Sequence, residues 1–120
     1  MNDDWLARLR PMCLTFPEAV EDTEGVGHPA FKVRGKIFAM QHAMDERPSL
    51  WFKGEPGMQA TLINTRPEHF FVPPYVGKHG WIGVWLDVEQ DWDYVEYLVG
   101  RSYRLTAPKK LVALLANQQG

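Results

Sequence analysis

Pro29-Ala-Phe-Lys-Val-Arg-Gly-Lys-Ile-Phe-Ala-Met-Gln-His42 decides the fold of this 120-residue chain. Two runs, 29–33 and 36–42, flank Arg34-Gly35 and alternate between their two faces. A period of two is the pattern of a strand. A glycine between two such runs supplies the positive φ that a tight hairpin turn requires. Phe31 and Val33 share one face, and Lys32 and Arg34 share the other. The two runs therefore pair antiparallel, and their tip is cationic through Lys32, Arg34 and Lys36.

Downstream, Asp45–Pro48 reads as a second turn and Ser49–Lys53 as a third strand. There Leu50 and Phe52 alternate with Trp51 and Lys53, which predicts that Trp51 shares a half-exposed face with a lysine. Met58–Ile63 reads as a short helix, and Arg66–Phe70 as another helical turn with Pro67 at its first position. Phe71–Tyr75 is extended, and Pro73 and Pro74 confine it to an edge or a loop. A glycine-rich loop with Lys78 and His79 then enters a strand with Trp81, Gly83 and Trp85 on one face. Ile82, Val84 and Leu86 form its other face.

Helical patterns bracket these strands. Trp5, Leu6, Leu9 and Cys13 recur at helical spacing behind a cap at Asp3 or Asp4, with Pro11 expected to kink or shorten the helix. Phe16-Pro17 ends it, and acidic Glu18–Glu24 reads as a solvated connection. Asp91 caps a helix whose face is Tyr94, Val95, Leu98, Val99 and Ser102. A last helix, opened by Thr106 and Pro108, puts Leu111, Leu114 and Leu115 on one side. Strand runs flanked by helical runs, without strict alternation, predict an α+β fold with a largely antiparallel sheet. The length suits one domain over residues 1–120.

Cys13 is the only cysteine, so no internal disulfide forms and a reducing compartment is expected. The acidic start lacks the pattern of a signal peptide, and no apolar run approaches the roughly 18 residues of a spanning helix. The expectation is a soluble cytoplasmic protein with no membrane partner. The net charge of −2 is uneven: residues 1–24 carry −4, residues 25–86 carry +3, and residues 87–120 carry −1. All four histidines fall in the basic block. The local field, not the total, governs attraction of a charged ligand.

Catalytic and metal patterns are not found. His28, His42, His69 and His79 lack metal-ligand spacing and partner cysteines. Ser49 and Ser102 lack a nucleophile elbow, and Cys13 lies on an apolar helix face. Asp87, Glu89, Asp91 and Asp93 read as a strand end and a helix cap. Gly25–Gly27 and Gly77–Gly80 lack the strand-to-helix context of phosphate loops. Neither an enzyme, a cofactor nor a metal is expected. What remains is binding: two glycine-bearing cationic turns suited to phosphates, with Tyr75, Trp51, Trp81 or Trp85 available to pack on sugars or bases.

Taken together, Phe16-Pro17-Glu18, Pro29–Ala39, Leu50-Trp-Phe-Lys53, Tyr75 with Lys78-His79, Trp81, Val84–Asp87, Leu98 and Ser102-Tyr103 resemble the MmcQ/YjbR family of small bacterial proteins. The resemblance spans nearly the whole chain in order. It departs at Gly80, which intervenes between His79 and Trp81, and at Pro11. It implies a YjbR/CyaY-like single compact domain with helices packed on one face of the sheet. It also implies DNA binding through two projecting β-hairpin wings.

The resulting expectation is a monomeric, non-enzymatic DNA-binding domain. Lys32, Arg34, Lys36 and Lys78 would pair with phosphates, His79 would hydrogen-bond a phosphate or sugar, and Trp81 would brace the loop. The rival is a protein-interaction or small-ligand module anchored on an exposed sheet face by Trp51 and Trp85.

Overall fold

A computed structural model describes residues 5–22 and 28–119, the side chains of 116–119 excepted. Helix α1 (Trp5–Leu14) is followed by strands β1 (Val20–Asp22), β2 (Ala30–Val33), β3 (Lys36–Met44) and β4 (Arg47–Phe52). Helix α2 (Met58–Thr65), strand β5 (Phe70–Phe71), a 3-10 turn at Gly77–His79 and strand β6 (Ile82–Trp85) come next. Helices α3 (Trp92–Thr106) and α4 (Lys109–Gln119) close the chain. The strands form one sheet in the order β1-β2-β3-β4-β6-β5, with every neighbour antiparallel. This is the α+β domain that the hairpin pattern predicts.

Both hairpins at the centre of the sheet turn in two residues. Val33 faces Lys36 across Arg34-Gly35, whose φ values are +52° and +82°. Met44 faces Arg47 across Asp45-Glu46, at +53° and +64°. Positive φ at both central positions gives the twist that joins two right-twisted strands. The second turn is thus shorter than the expected Asp45–Pro48, and Arg47 and Pro48 belong to β4.

The helices cover one face. Leu9 and Cys13 of α1, Val95, Leu98, Val99 and Tyr103 of α3, and Leu111 and Leu115 of α4 are buried in one cluster. That cluster also holds Phe31, Val33, Phe38, Leu50, Phe52, Ile82 and Val84 from the sheet. Asp91 caps α3 by accepting a hydrogen bond from the Tyr94 amide at 3.2 Å. Ser102, buried on α3, donates to the Phe38 carbonyl at 2.6 Å and accepts from the Lys53 amide at 2.8 Å, tying α3 to β3 and β4. Burial, with Glu21 nearby, pushes the Cys13 thiol up to about 12.

Several local expectations differ. The proposed cap at Asp3 or Asp4 lies outside the described residues. Pro11 does not shorten α1, which runs on to Leu14. It is exposed, about 200° around the helix from Leu9 and Cys13, so the lost donor falls on the watered side. Arg66–Phe70 closes a single turn, the Phe70 amide bonding to the Arg66 carbonyl at 3.1 Å, and Phe70 opens β5. Leu114 points outward while Leu111 and Leu115 are buried. The acidic segment is more than a connection, since Val20–Asp22 pairs with β2 as an edge strand. Among the described residues no helix is long and apolar enough to cross a membrane.

Candidate functional site

The face of the sheet away from the helices carries a second, smaller cluster. Ala30, Met40 and Trp51 form its buried centre, with Ile37, Met44, Phe71, Val76 and Trp81 packed around them. Register explains the composition, because Met40, Trp51 and Gly83 lie directly opposite one another on β3, β4 and β6. Directly opposed residues share a face. Trp51 is only 3% exposed, which overturns the half-exposed placement predicted for it. The His42 ring lies parallel to it at 4.5 Å, and His28 lies 4.2 Å from His42. Trp85 is half-buried between the Phe71 ring at 4.2 Å and the Arg47 guanidinium at 3.9 Å. The two tryptophans named as hydrophobic anchors are therefore largely engaged within the fold.

The cationic residues divide into two groups. On the hairpin, Lys32 is half-buried and pairs with Asp22 at 2.7 Å. Arg34 is exposed but held by both carboxylate oxygens of Glu18, at 2.6 and 3.1 Å. The Arg34 hydrogen bonds hold the Glu18 carboxyl below its ordinary value and raise the guanidinium in return. The acidic segment thus folds back onto the hairpin and offsets two of its three charges. Sequence distance hid this contact, since Glu18 and Arg34 are sixteen residues apart.

The second group is unpaired. Among the described residues, Lys36, Lys53 and Lys78 take part in no ion pair. The sheet brings them to one end. Phe52 faces Ile82, so Lys53 leaves β4 where Trp81 enters β6. Lys36 opens β3 at the same end, and Lys78 and His79 sit in the turn just before Trp81. Lys53 is half-buried, with Nζ 6.0 Å from the centre of the Trp81 ring. Burial lowers its pKa, and repulsion from Lys36 lowers it further. Lys53 was missed as a site residue in the sequence, although its alternation with Phe52 already placed it beside Trp51.

The Lys78 loop is stiff. Gln59 of α2 donates to the Gly77 carbonyl at 2.8 Å and to the Trp81 carbonyl at 2.7 Å, clamping both ends of the turn. His79 and Gly80 amides bond back to Val76 and Gly77. Gly80 ends the turn at φ +88°, a conformation that favours glycine, which accounts for a glycine between His79 and Trp81. Lys78 and His79 are exposed, and Trp81 is half-buried against the Trp51 cluster. An open cleft of about 400 Å³ lies between this loop and the start of α2, lined by Gln59, Lys78, His79, the glycines around them and Glu55, whose carboxylate is paired with Arg101. A depression of similar size, about 390 Å³, runs along α3, but Asp93 and Glu96 there oppose Arg101 and Arg104. Arg101 is moreover committed to Glu55. Among the described residues, the sheet end instead brings together three lysines that take part in no ion pair. Among the described residues, no group of three or more His, Cys, Asp or Glu is arranged to hold a metal ion.

A family model described as YjbR matches residues 14–105. No curated protein sequence matches at a significant level. The fold is similar to the crystal structure of the Deinococcus radiodurans protein DR2400, described by the domain DUF419, with a TM-score of 0.73. The two are 22% identical, over 83% of this chain and 76% of that one, a likeness of fold alone.

Proposed function

The chain belongs to the YjbR family, and we propose that it is a non-enzymatic DNA-binding domain that grips backbone phosphates through one end of its sheet. One observation carries this reading: Lys36, Lys53 and Lys78 lie at the same end of the sheet as His79 and Trp81, and none of the lysines has an ion-pair partner among the described residues. Three phosphate contacts release their condensed counterions on binding, so affinity depends on salt rather than on base sequence. His79 adds a hydrogen-bond donor to a phosphate or sugar, and the half-buried Trp81 supports the loop from beneath. Lys32 and Arg34 are secondary, because each must first leave a carboxylate.

The reading is tested by fluorescence anisotropy with a short DNA duplex at 50 and 200 mM salt. Three contacts imply that the dissociation constant rises about 40-fold over that range. Lys36→Gln and Lys78→Gln should each flatten the logarithmic salt slope by about one. Salt-independent binding, or slopes unchanged in both variants, would overturn it.

A further inference from the structure

Tyr75 is the most exposed large apolar side chain among the described residues, at 87%. It also stands in left-handed backbone, at φ +66°, which a tyrosine adopts only at a cost. Such an outlier persists only where the surroundings enforce it. Here the enforcement is visible. Pro73 and Pro74 precede Tyr75, the Val76 amide bonds to the Pro74 carbonyl at 2.6 Å, and the Gly77 amide bonds to the Pro73 carbonyl at 3.0 Å. Val76 is packed onto the Trp51 cluster, and Gln59 holds Gly77 from the other side. A rigid loop therefore keeps an aromatic ring in water three residues from Lys78 and four from His79.

We infer that Tyr75 is a stacking platform for an unpaired base, and that the preferred ligand of this site is single-stranded nucleic acid rather than duplex. The inference rests on the phosphate-binding reading above and narrows it. A base in a duplex is stacked on both faces and offers a tyrosine no free surface, whereas a single strand offers each base in turn. The flanking cations match the negatively charged backbone such a strand carries, and a loop already rigid loses little freedom on binding. An apolar protein partner would gain nothing from the exposed cation at Lys78, three residues along the same loop.

Anisotropy at one fixed low salt separates the two readings with three probes of equal length: oligo-dT, a wholly abasic oligodeoxynucleotide, and a duplex. The abasic chain carries phosphates and no bases. Oligo-dT should bind about 5- to 150-fold more tightly than the abasic chain, the range one stacked base supplies. Tyr75→Asn should abolish that preference while leaving abasic binding unchanged, because asparagine tolerates positive φ and spares the loop. Tyr75→Phe should retain it. Equal binding of oligo-dT and the abasic chain, a duplex bound as tightly as oligo-dT, or an equal loss on every probe in Tyr75→Asn overturns the stacking role alone. Failure of all three probes to bind overturns the phosphate reading and this one together.

Discussion

Gly83 lies directly opposite Trp51 on one side and Phe71 on the other. A Cβ built there would come within 2.2 Å of the Phe71 ring. Phe71 is in turn stacked on Trp85, which is capped by Arg47. Glycine at this point lets an aromatic ring lie flat on the sheet, and that ring covers the outer face where no helix does. Gly83→Ala must push Phe71 away, so it should destabilise the domain by about 1–3 kcal/mol, the usual cost of overpacking. Chemical denaturation measures the loss, and the near-UV circular dichroism of the Trp85 environment should change with it. A variant as stable as the parent would show that the ring moves freely. Parity alone assigned Trp81, Gly83 and Trp85 to one face. It could not show that Phe71 fills the gap between the tryptophans, because that depends on the pairing of β5 with β6.

The edge strand β1 and the turn before it change the charge of the neighbouring hairpin. Glu18 holds Arg34 and Asp22 holds Lys32. Each pair is at least partly exposed, so solvent screening keeps its contribution small. Removing both carboxylates with Glu18→Gln and Asp22→Asn frees two cations at that small cost. If phosphates reach the hairpin as well as the Lys78 loop, the double variant should bind DNA up to about fivefold more tightly at low salt, with a steeper salt dependence. Unchanged affinity and slope would confine the contact to Lys36, Lys53 and Lys78. Strands β2, β3, β4 and β6, the hairpin at Gly35, the cap at Asp91 and the buried face of α3 were legible, because each is written in a local period or a turn residue. The masking of Lys32 and Arg34 was not, and neither was the role of Lys53. Both arise from long-range juxtaposition: β1 joins the sheet from a segment too short and acidic to read as a strand, and Lys53 gains its setting only when β4 pairs with β6. Pro11 does not shorten α1, because it lies on the watered side of the helix, which the local rule does not weigh.

The ion pairs of the described residues join segments far apart in the chain. Arg47 of β4 binds Asp87 beyond β6, Arg101 of α3 binds Glu55 before α2, and Arg34 binds Glu18. In each case the arginine hydrogen bonds, more than distance-dependent attraction, hold the carboxyl below its ordinary value. A carboxyl whose pKa is lower in the folded protein than in the unfolded chain stabilises the fold above the ordinary carboxylate range, and that contribution is lost as pH falls through the folded value. His28 acts in the same direction at higher pH. Burial, and then the nearby His42, lower its pKa from 6.5, so the unfolded chain takes up its proton first as pH falls. The melting temperature should therefore decline in two stages on acidification, a shallow one beginning near pH 6.5 and a second one below the ordinary carboxylate range. His28→Gln should remove the first stage and leave the second. Glu18→Gln combined with Glu55→Gln and Asp87→Asn should lower the plateau near neutrality and flatten the second stage, because the variant has fewer carboxylates to protonate. Thermal melts by circular dichroism from pH 7 to pH 3 read both. A single transition shared by the parent and both variants would mean that other groups govern the acid sensitivity of the fold.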